Sequence, residues 1–352
     1  MRLAAIASAL AILLCAAVFG AIFLQRTSVS GPAPSPALAA PGEEPASAIG
    51  ASARVDAART APGTTEQPMV VAQAAPAAAP TTCSNPNGLG VARTVEIDTT
   101  GGPGFGFEHF KSHDFLREGE IVLTFDDGPW PKNTPNVLAA LAAHCTKAIF
   151  FPIGLHATYE PGILKQVAAG GHAVGSHTWC HQDLSKTKGK CLIGGKTQAY
   201  EYDPKDEIEK GISAVRWAVG GPTAPFFRFP ALRQPQELID YLGKRNIAIF
   251  STDLDSFDFK MRKPEQVRQS VMAKLKKHGK GIVLLHDFQH ATGDGAMDLL
   301  NDLKAGGYKV VQIRGKTPLE PLPEYKEMVL KEIGGGLDTA RPMSSVIKDI
   351  TN

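Results

Sequence analysis

Glu120-Ile121-Val122-Leu123-Thr124-Phe125-Asp126-Asp127-Gly128-Pro129 runs from an apolar strand pattern directly into two adjacent carboxylates and a turn. Successive side chains of a strand point to opposite faces, so Asp126 and Asp127 converge on one site only where the strand breaks. Gly128 and Pro129 supply that break, the first through its conformational freedom and the second by ending the ladder. Two carboxylates at the end of so apolar a run need a chemical reason to be there.

Outward from this stretch, from about Glu118 to Gly315, short apolar runs alternate with helical patterns. The runs are Glu120 to Phe125, Lys147 to Pro152, His172 to Ser176, Phe226 to Phe229, Ile247 to Ser251, Gly281 to Leu285 and Tyr308 to Ile313, which predicts seven strands. Between them, Thr134-Pro135, Asp203-Pro204, Pro235 and Pro264 each stand just before apolar residues at helical spacing. Gly170-Gly171 and Gly306-Gly307 follow two further helical segments as stop signals. Such β/α alternation implies a parallel sheet, either open and doubly wound or closed into a barrel. Each polar cluster of the region follows a strand: Asp126-Asp127, His177 to His181, Arg228, Asp253 to Asp258, and His286-Asp287. In a β/α barrel the C-terminal strand ends form one rim, where groups from different strands meet.

His177-Thr178-Trp179-Cys180-His181 places two imidazoles four positions apart, a spacing that lets both reach one metal ion. With Asp127 they make a two-His, one-carboxylate set that leaves coordination positions open. Asp126 is then free to act as a general base toward a water acidified by the metal. His286 is the best remaining proton donor for a leaving group, with Asp258 as the partner that raises its pKa. Arg228 would orient one of the carboxylates. Together these describe metal-assisted hydrolysis of an amide or ester. Taken singly, Arg228 and Asp258 also read as an ordinary buried ion pair, and His286 as a core histidine. Asp253, Asp255 and Asp287 read mostly as solvated or capping residues, with Asp255 a candidate supporting partner. His172, His278 and His290 have no companions at ligand spacing.

Five motifs in order, Thr124 to Pro129, His177 to His181, Arg228-Phe229-Pro230, Asp255-Ser256-Phe257-Asp258-Phe259 and Ile282 to His286, resemble those of the polysaccharide deacetylase family, the NodB-homology or carbohydrate esterase family 4 domain. The resemblance covers roughly residues 118 to 315. It implies a distorted (β/α)7 barrel that removes N- or O-acetyl groups from polysaccharides with a divalent metal, most often Zn2+, with Co2+ an alternative. It implies Asp126 as base, Asp127, His177 and His181 as metal ligands, Arg228 as the tether of the base, and Asp258 as the residue tuning the acid His286. Leu284 would belong to the apolar pocket for the acetyl methyl, and Pro230, Ala231 and Phe259 to the substrate-binding surface. Two positions depart from the family pattern: Ala231 stands where the family usually has Tyr, and Phe259 where it usually has Trp. The first loses a sugar-stacking ring and the second an indole N–H, so both bear on substrate identity more than on reaction type.

The remaining sequence bounds the setting. The chain has 352 residues, 43% hydrophobic and 20% charged, with a formal charge of +2, which argues against a polyanionic partner. No basic cluster interleaved with aromatics is present, so nucleic-acid binding is disfavoured. Residues 1–26 carry Arg2, then an uncharged apolar stretch from Leu3 to Leu24, and read as a signal peptide or an uncleaved membrane anchor. Residues 27–82, rich in Ala, Pro, Ser and Gly, read as a disordered linker. Residues 83–117 are expected to be an N-terminal extension packing on the barrel, and 316–352 a tail with one short helix around Tyr325 to Ile333. This organisation predicts an exported protein, periplasmic or in the cell envelope, contacting the membrane through its N-terminus if uncleaved.

Beyond the leader lie Cys83, Cys145, Cys180 and Cys191, an even number that fits disulfides in an exported domain. Cys180 with Cys191 is the favoured pair, bracing the irregular Ser185 to Tyr202 stretch as a loop beside the substrate groove. Cys145 reads equally as a buried small hydrophobe. The expected activity is N-deacetylation of an N-acetylhexosamine glycan such as peptidoglycan, chitin-like oligomers or poly-N-acetylglucosamine. The rivals are an O-acetyl esterase using the same residues and a non-catalytic carbohydrate-binding barrel.

Overall fold

The computed structural model describes residues 85–193 and 196–337. The expected leader and linker, Cys83 and the last part of the tail lie outside the described residues. Among the described residues no helix is long and apolar enough to cross a membrane. In chain order the elements are β1 (Arg93–Ile97), β2 (Gly104–Phe105), β3 (Glu120–Asp126), α1 (Asn133–Ala143), β4 (Ile149–Phe151), α2 (Gly154–Tyr159), α3 (Pro161–Ala169), β5 (Ala173–Val174), β6 (Lys188–Ile193), β7 (Lys196–Glu201), α4 (Pro204–Val219), β8 (Phe226–Phe227), α5 (Gln236–Lys244), β9 (Ala248–Phe250), β10 (Leu254–Asp255), α6 (Pro264–His278), β11 (Gly281–His286), α7 (His290–Ala305), β12 (Lys309–Gly315) and α8 (Pro323–Leu337).

The seven strands expected from the β/α alternation are all present, as β3, β4, β5, β8, β9, β11 and β12, and their pairings are parallel. Hydrogen-bonded neighbours lead from β11 through β3 and β4 to β5. A parallel bridge between Ser176 and Phe227 carries the sequence of neighbours on to β8 and β9. The chain leaving β9 then forms β10, which pairs with β11 and closes the circuit. Strand β12 joins β3 only at its start, and β1 lies outside β12.

The two-residue period of the central strands separates two packing environments. Ile121, Leu123 and Phe125 of β3 and Val283 and Leu285 of β11 pack with Val137 and Leu141 of α1, Val271 and Leu275 of α6 and Leu300 and Leu303 of α7. On the other face, Val122 and Ile282 pack with Phe151, Phe226 and Phe250 from the other strands of the circuit. The same inner face continues along β3 to Thr124 and Asp126 and along β11 to Leu284 and His286, residues that are register partners of one another. Thus the strand period delivers Asp126 and His286 side by side.

The helices follow their local signals. Asp203 accepts hydrogen bonds from the N–H groups of Lys205 (2.7 Å) and Asp206 (3.3 Å), capping α4, which ends at Gly220 with φ 69°. Its apolar stripe, Ile208, Ile212 and Val215, is buried.

Two segments differ from their sequence reading. Ser185 to Tyr202, expected as an irregular loop, forms the antiparallel β6–β7 pair. It is largely exposed on both faces, so it carries no apolar alternation to reveal it. Strand β1, with only Val95 and Ile97 as apolar residues, was equally silent. It is pinned by Arg93, whose Nε and Nη2 donate to the two oxygens of Glu120 at 2.8 and 2.6 Å, while Arg117 N–H donates to the same carboxylate at 2.8 Å.

The Arg93 guanidinium holds the Glu120 carboxyl down at about 2, against the upward push of its burial. A carboxyl depressed in the folded state contributes stability that is complete above its ordinary value and is lost as pH falls through the folded one. We expect Arg93→Gln to lower unfolding free energy by about 1–3 kcal/mol at neutral pH. Denaturant titrations should find the gap to wild type closing as pH falls from about 4.5 towards about 2. A gap that stays constant down this range would contradict the assignment.

Candidate active site

Thr124 and Asp126 are fixed by Arg228, the largest fully buried side chain among the described residues. Its Nη1 donates to Thr124 Oγ1 and to Asp126 Oδ1, both at 2.7 Å, and its Nε and Nη2 donate to the carbonyls of Phe250 (3.1 Å) and Ser251 (2.9 Å). The guanidinium also lies over the Phe151 ring, 4.5 Å from its centroid. One oxygen of Asp126 is therefore committed to a charge-assisted bond. The other, Oδ2, faces His177 Nε2 at 3.9 Å.

Asp127, His177 and His181 converge as expected. Their nearest ligand atoms lie within 4.8 Å of one another, and Asp127 Oδ1 is 3.4 Å from Nε2 of each imidazole. Asp127 Oδ1 is buried and has no hydrogen-bond partner, which is costly for a carboxylate oxygen unless a cation claims it. His177 donates its Nδ1–H to the Arg228 carbonyl at 2.7 Å, leaving Nε2 as the free lone pair, an arrangement common to metal-binding imidazoles. Burial depresses His177 to about 4, so it is neutral at physiological pH, as a ligand must be. On these grounds the residues fit a divalent cation.

The segment carrying the two histidines is clamped from both sides. Gly154 and Leu155, opening α2, donate N–H groups to the carbonyls of Thr178 (2.8 Å) and Trp179 (2.9 Å). From α4, the Glu207 carbonyl accepts from Trp179 N–H at 2.8 Å and its carboxylate from Cys180 N–H at 2.9 Å. Helix α4 comes this close because residue 211 is glycine: a Cβ there would lie 2.4 Å from the Thr178 carbonyl carbon. The Cys180–Cys191 disulfide, as expected, ties the same segment to β6. Cys145 is also disulfide-bonded, so its reading as a free buried hydrophobe is replaced.

Beside Asp126 on the neighbouring strand, His286 Nδ1 lies 2.6 Å from Asp258 Oδ1, and His286 Nε2 is 4.0 Å from Asp127 Oδ2. Asp258 is fully buried, and its Oδ2 accepts from His286 N–H (2.8 Å) and Thr292 Oγ1 (2.5 Å). Burial pulls His286 down, but the bond and charge of Asp258, with Asp127 and Asp126 adding, outweigh it and raise the imidazole to about 9. A dication held by Asp127 would draw that value back down through its own charge.

Asp287, read as solvated or capping, is instead 1% exposed. Its oxygens accept from Gly128 N–H (3.1 Å) and Thr134 Oγ1 (2.5 Å), so it ties the Asp126–Pro129 turn to α1, and burial pushes its carboxyl up to about 7. Gly128 must lack a side chain for this contact, since a Cβ would lie 2.2 Å from Asp287 Oδ2. Asp253 also turns inward, accepting from the N–H groups of Phe107 (2.6 Å) and Ile282 (2.7 Å). His172 is half-buried and accepts from Ala148 N–H, while His290 is exposed beside Asp294.

His156 had no sequence signal. Its Nδ1–H donates to the Asp127 carbonyl at 2.7 Å, supporting a residue held at φ 71°. Of the four candidate substrate-binding residues, Leu284 lies buried on the inner face beside Thr124, and the Phe259 ring is 5.6 Å from the His286 ring. Pro230 and Ala231 lie in a 3-10 turn that follows Phe229, with Ala231 exposed and at φ 51°.

Residues 115–249 match the polysaccharide deacetylase family. A chitooligosaccharide deacetylase of a Bradyrhizobium species is 30% identical over 167 residues, 47% of this chain and 70% of the relative. The peptidoglycan-N-acetylglucosamine deacetylase PgdA of Listeria monocytogenes is 32% identical over 199 residues, 55% of this chain. The chain spans only 38% of the length of that relative. Among solved structures, a Bdellovibrio bacteriovorus peptidoglycan deacetylase superposes with a TM-score of 0.55 at 29% identity, covering 64% of this chain and 59% of that one.

Proposed function

Because the chain belongs to the polysaccharide deacetylase family, we propose that it hydrolyses acetyl groups from an N-acetylhexosamine glycan, using a divalent cation such as Zn2+, outside the cytoplasmic membrane. The observation that carries this reading is the placement of two differently prepared groups, Asp126 and His286, side by side at the Asp127, His177 and His181 donor set.

The cation those three residues would hold supplies Lewis acidity, which polarises an oxygen and makes water easier to deprotonate. The chain's own residues divide the proton transfers. Asp126 Oδ2 takes a proton from water as the water oxygen bonds to the acetyl carbonyl carbon, while Arg228 keeps Oδ1 fixed. The C–N bond then breaks, and the departing nitrogen receives a proton from His286 Nε2, whose other nitrogen is held by Asp258. Acetate and a free amine result. Leu284, buried on the same inner face, offers an apolar wall for the acetyl methyl.

Export is supported by the apolar stretch from Leu3 to Leu24, the Ala/Pro-rich segment after it, and the Cys180–Cys191 disulfide, which suits an oxidising compartment. The reading is tested by acetate release from N-acetylglucosamine oligomers, peptidoglycan and acetylated xylan. We expect release from the N-acetylated substrates. Release from xylan alone would point to the esterase, and binding without release from any of them to a non-catalytic module.

A further inference from the structure

Trp130 follows the Asp126–Pro129 turn and is 39% exposed, although Asp126 and Asp127 beside it are only 2% and 9% exposed. Its main chain is held in both directions: its N–H donates to Thr134 Oγ1 at 2.8 Å, and Thr134 N–H donates to its carbonyl at 3.1 Å. The indole meets the His156 ring at 5.4 Å and 66°, and the Phe288 ring at 6.3 Å and 70°. At such steep angles neither neighbour lies flat against it. Phe288 in turn meets His286 at 6.1 Å and 89°, and Phe259 meets His286 at 5.6 Å and 78°.

A row of rings therefore crosses the site with His286 in its middle and an exposed aromatic on either side, Trp130 beyond Phe288 and Phe259 directly. Phe257, also exposed, is covered by the ammonium groups of Lys260 and Lys274, 4.7 and 4.1 Å from its ring centroid. Among the described residues no cation covers Trp130 in this way. A pyranose chair presents C–H groups on one face, their hydrogens made slightly positive by the attached oxygens, and these suit the negative face of an aromatic ring. A rigid aromatic with a fixed backbone gives this contact at little entropic cost.

We propose that Trp130 is a stacking platform for the pyranose next to the one whose acetyl group faces Asp126 and His286, so that the site recognises an oligomer lying across it rather than a single acetylated sugar. The proposal rests on the deacetylase reading above. Trp130 touches a neighbouring sugar and takes no part in the bond changes, so its contribution is made equally before and during reaction and belongs in KM rather than kcat.

The test compares Trp130→Ala and Trp130→Phe with wild type on a short N-acetylglucosamine oligomer and on an aryl acetate ester, which has no second sugar. The expected result is a rise in oligomer KM of about tenfold or more for Trp130→Ala, with kcat within about twofold of wild type. The ratio of oligomer to ester kcat/KM should fall by a similar factor, and Trp130→Phe should recover most of it. An unchanged oligomer KM overturns the proposal, as does an equal loss on both substrates, which would mark Trp130 as a support of the Asp127 turn alone. Wild type that cleaves the ester yet leaves every acetylated glycan untouched overturns the deacetylase reading and the platform with it. Active wild type matched by Trp130→Ala overturns the platform only.

Discussion

Asp126→Asn is expected to reduce acetate release by about 1,000-fold or more while leaving cation binding intact. The substitution is nearly isosteric, and its amide oxygen still accepts the bond that Arg228 Nη1 makes to Oδ1 at 2.7 Å. What it removes is basicity at Oδ2, the oxygen left free to take a proton. Asp126 does not belong to the Asp127, His177 and His181 donor set, so that set keeps its composition. The paired readouts are acetate release and bound metal per chain. Loss of both together would mean that Asp126 acts as a ligand. Retained activity would remove it from the chemistry altogether.

His286→Gln is expected to show a loss that depends on the leaving group. An amide nitrogen cannot depart without a proton, so deacetylation of an N-acetylated sugar should fall by about 100–10,000-fold. An aryl acetate expels a phenolate that leaves unprotonated, so its hydrolysis should fall far less in the same variant. Asp126→Asn should damage both reactions, because water attack is common to them. The contrast follows from geometry: Asp126 Oδ2 and His286 Nε2 approach the donor set from neighbouring strands, and only His286 is held by a buried carboxylate that favours its protonated form. Equal losses on the two substrates would assign His286 to binding or to support of Asp127 instead.

Much of this arrangement was legible in the residues, for physical reasons. The two-residue period of β3 and β11 carries Thr124, Asp126, Leu284 and His286 onto one face, and a buried strand ending in charged residues advertises a site. The Asp203 cap and the prolines opening α4 and α6 mark where helices begin. Less legible were residues whose roles depend on how helices pack. His156 on α2 and Glu207 on α4 sit in ordinary helical patterns, and only the packing of the two helices brings the first to the Asp127 carbonyl and the second to the Cys180 N–H. Gly211 looks like a helix-weakening residue until the neighbouring carbonyl is seen against it. Asp287, following His286 and standing before a helix, has the sequence signature of a surface cap; its burial arises because the turn at Gly128 folds onto it. The β6–β7 pair exposes most of both faces, so no apolar pattern betrays it.

The most direct measurement is acetate release from an N-acetylglucosamine oligomer by protein stripped with a chelator and titrated with Zn2+, with bound metal counted alongside. The account predicts negligible release from the stripped wild type, recovery that saturates near one ion per chain, and no recovery in Asp126→Asn at the same occupancy. Release that survives stripping, or that returns in Asp126→Asn, would contradict it.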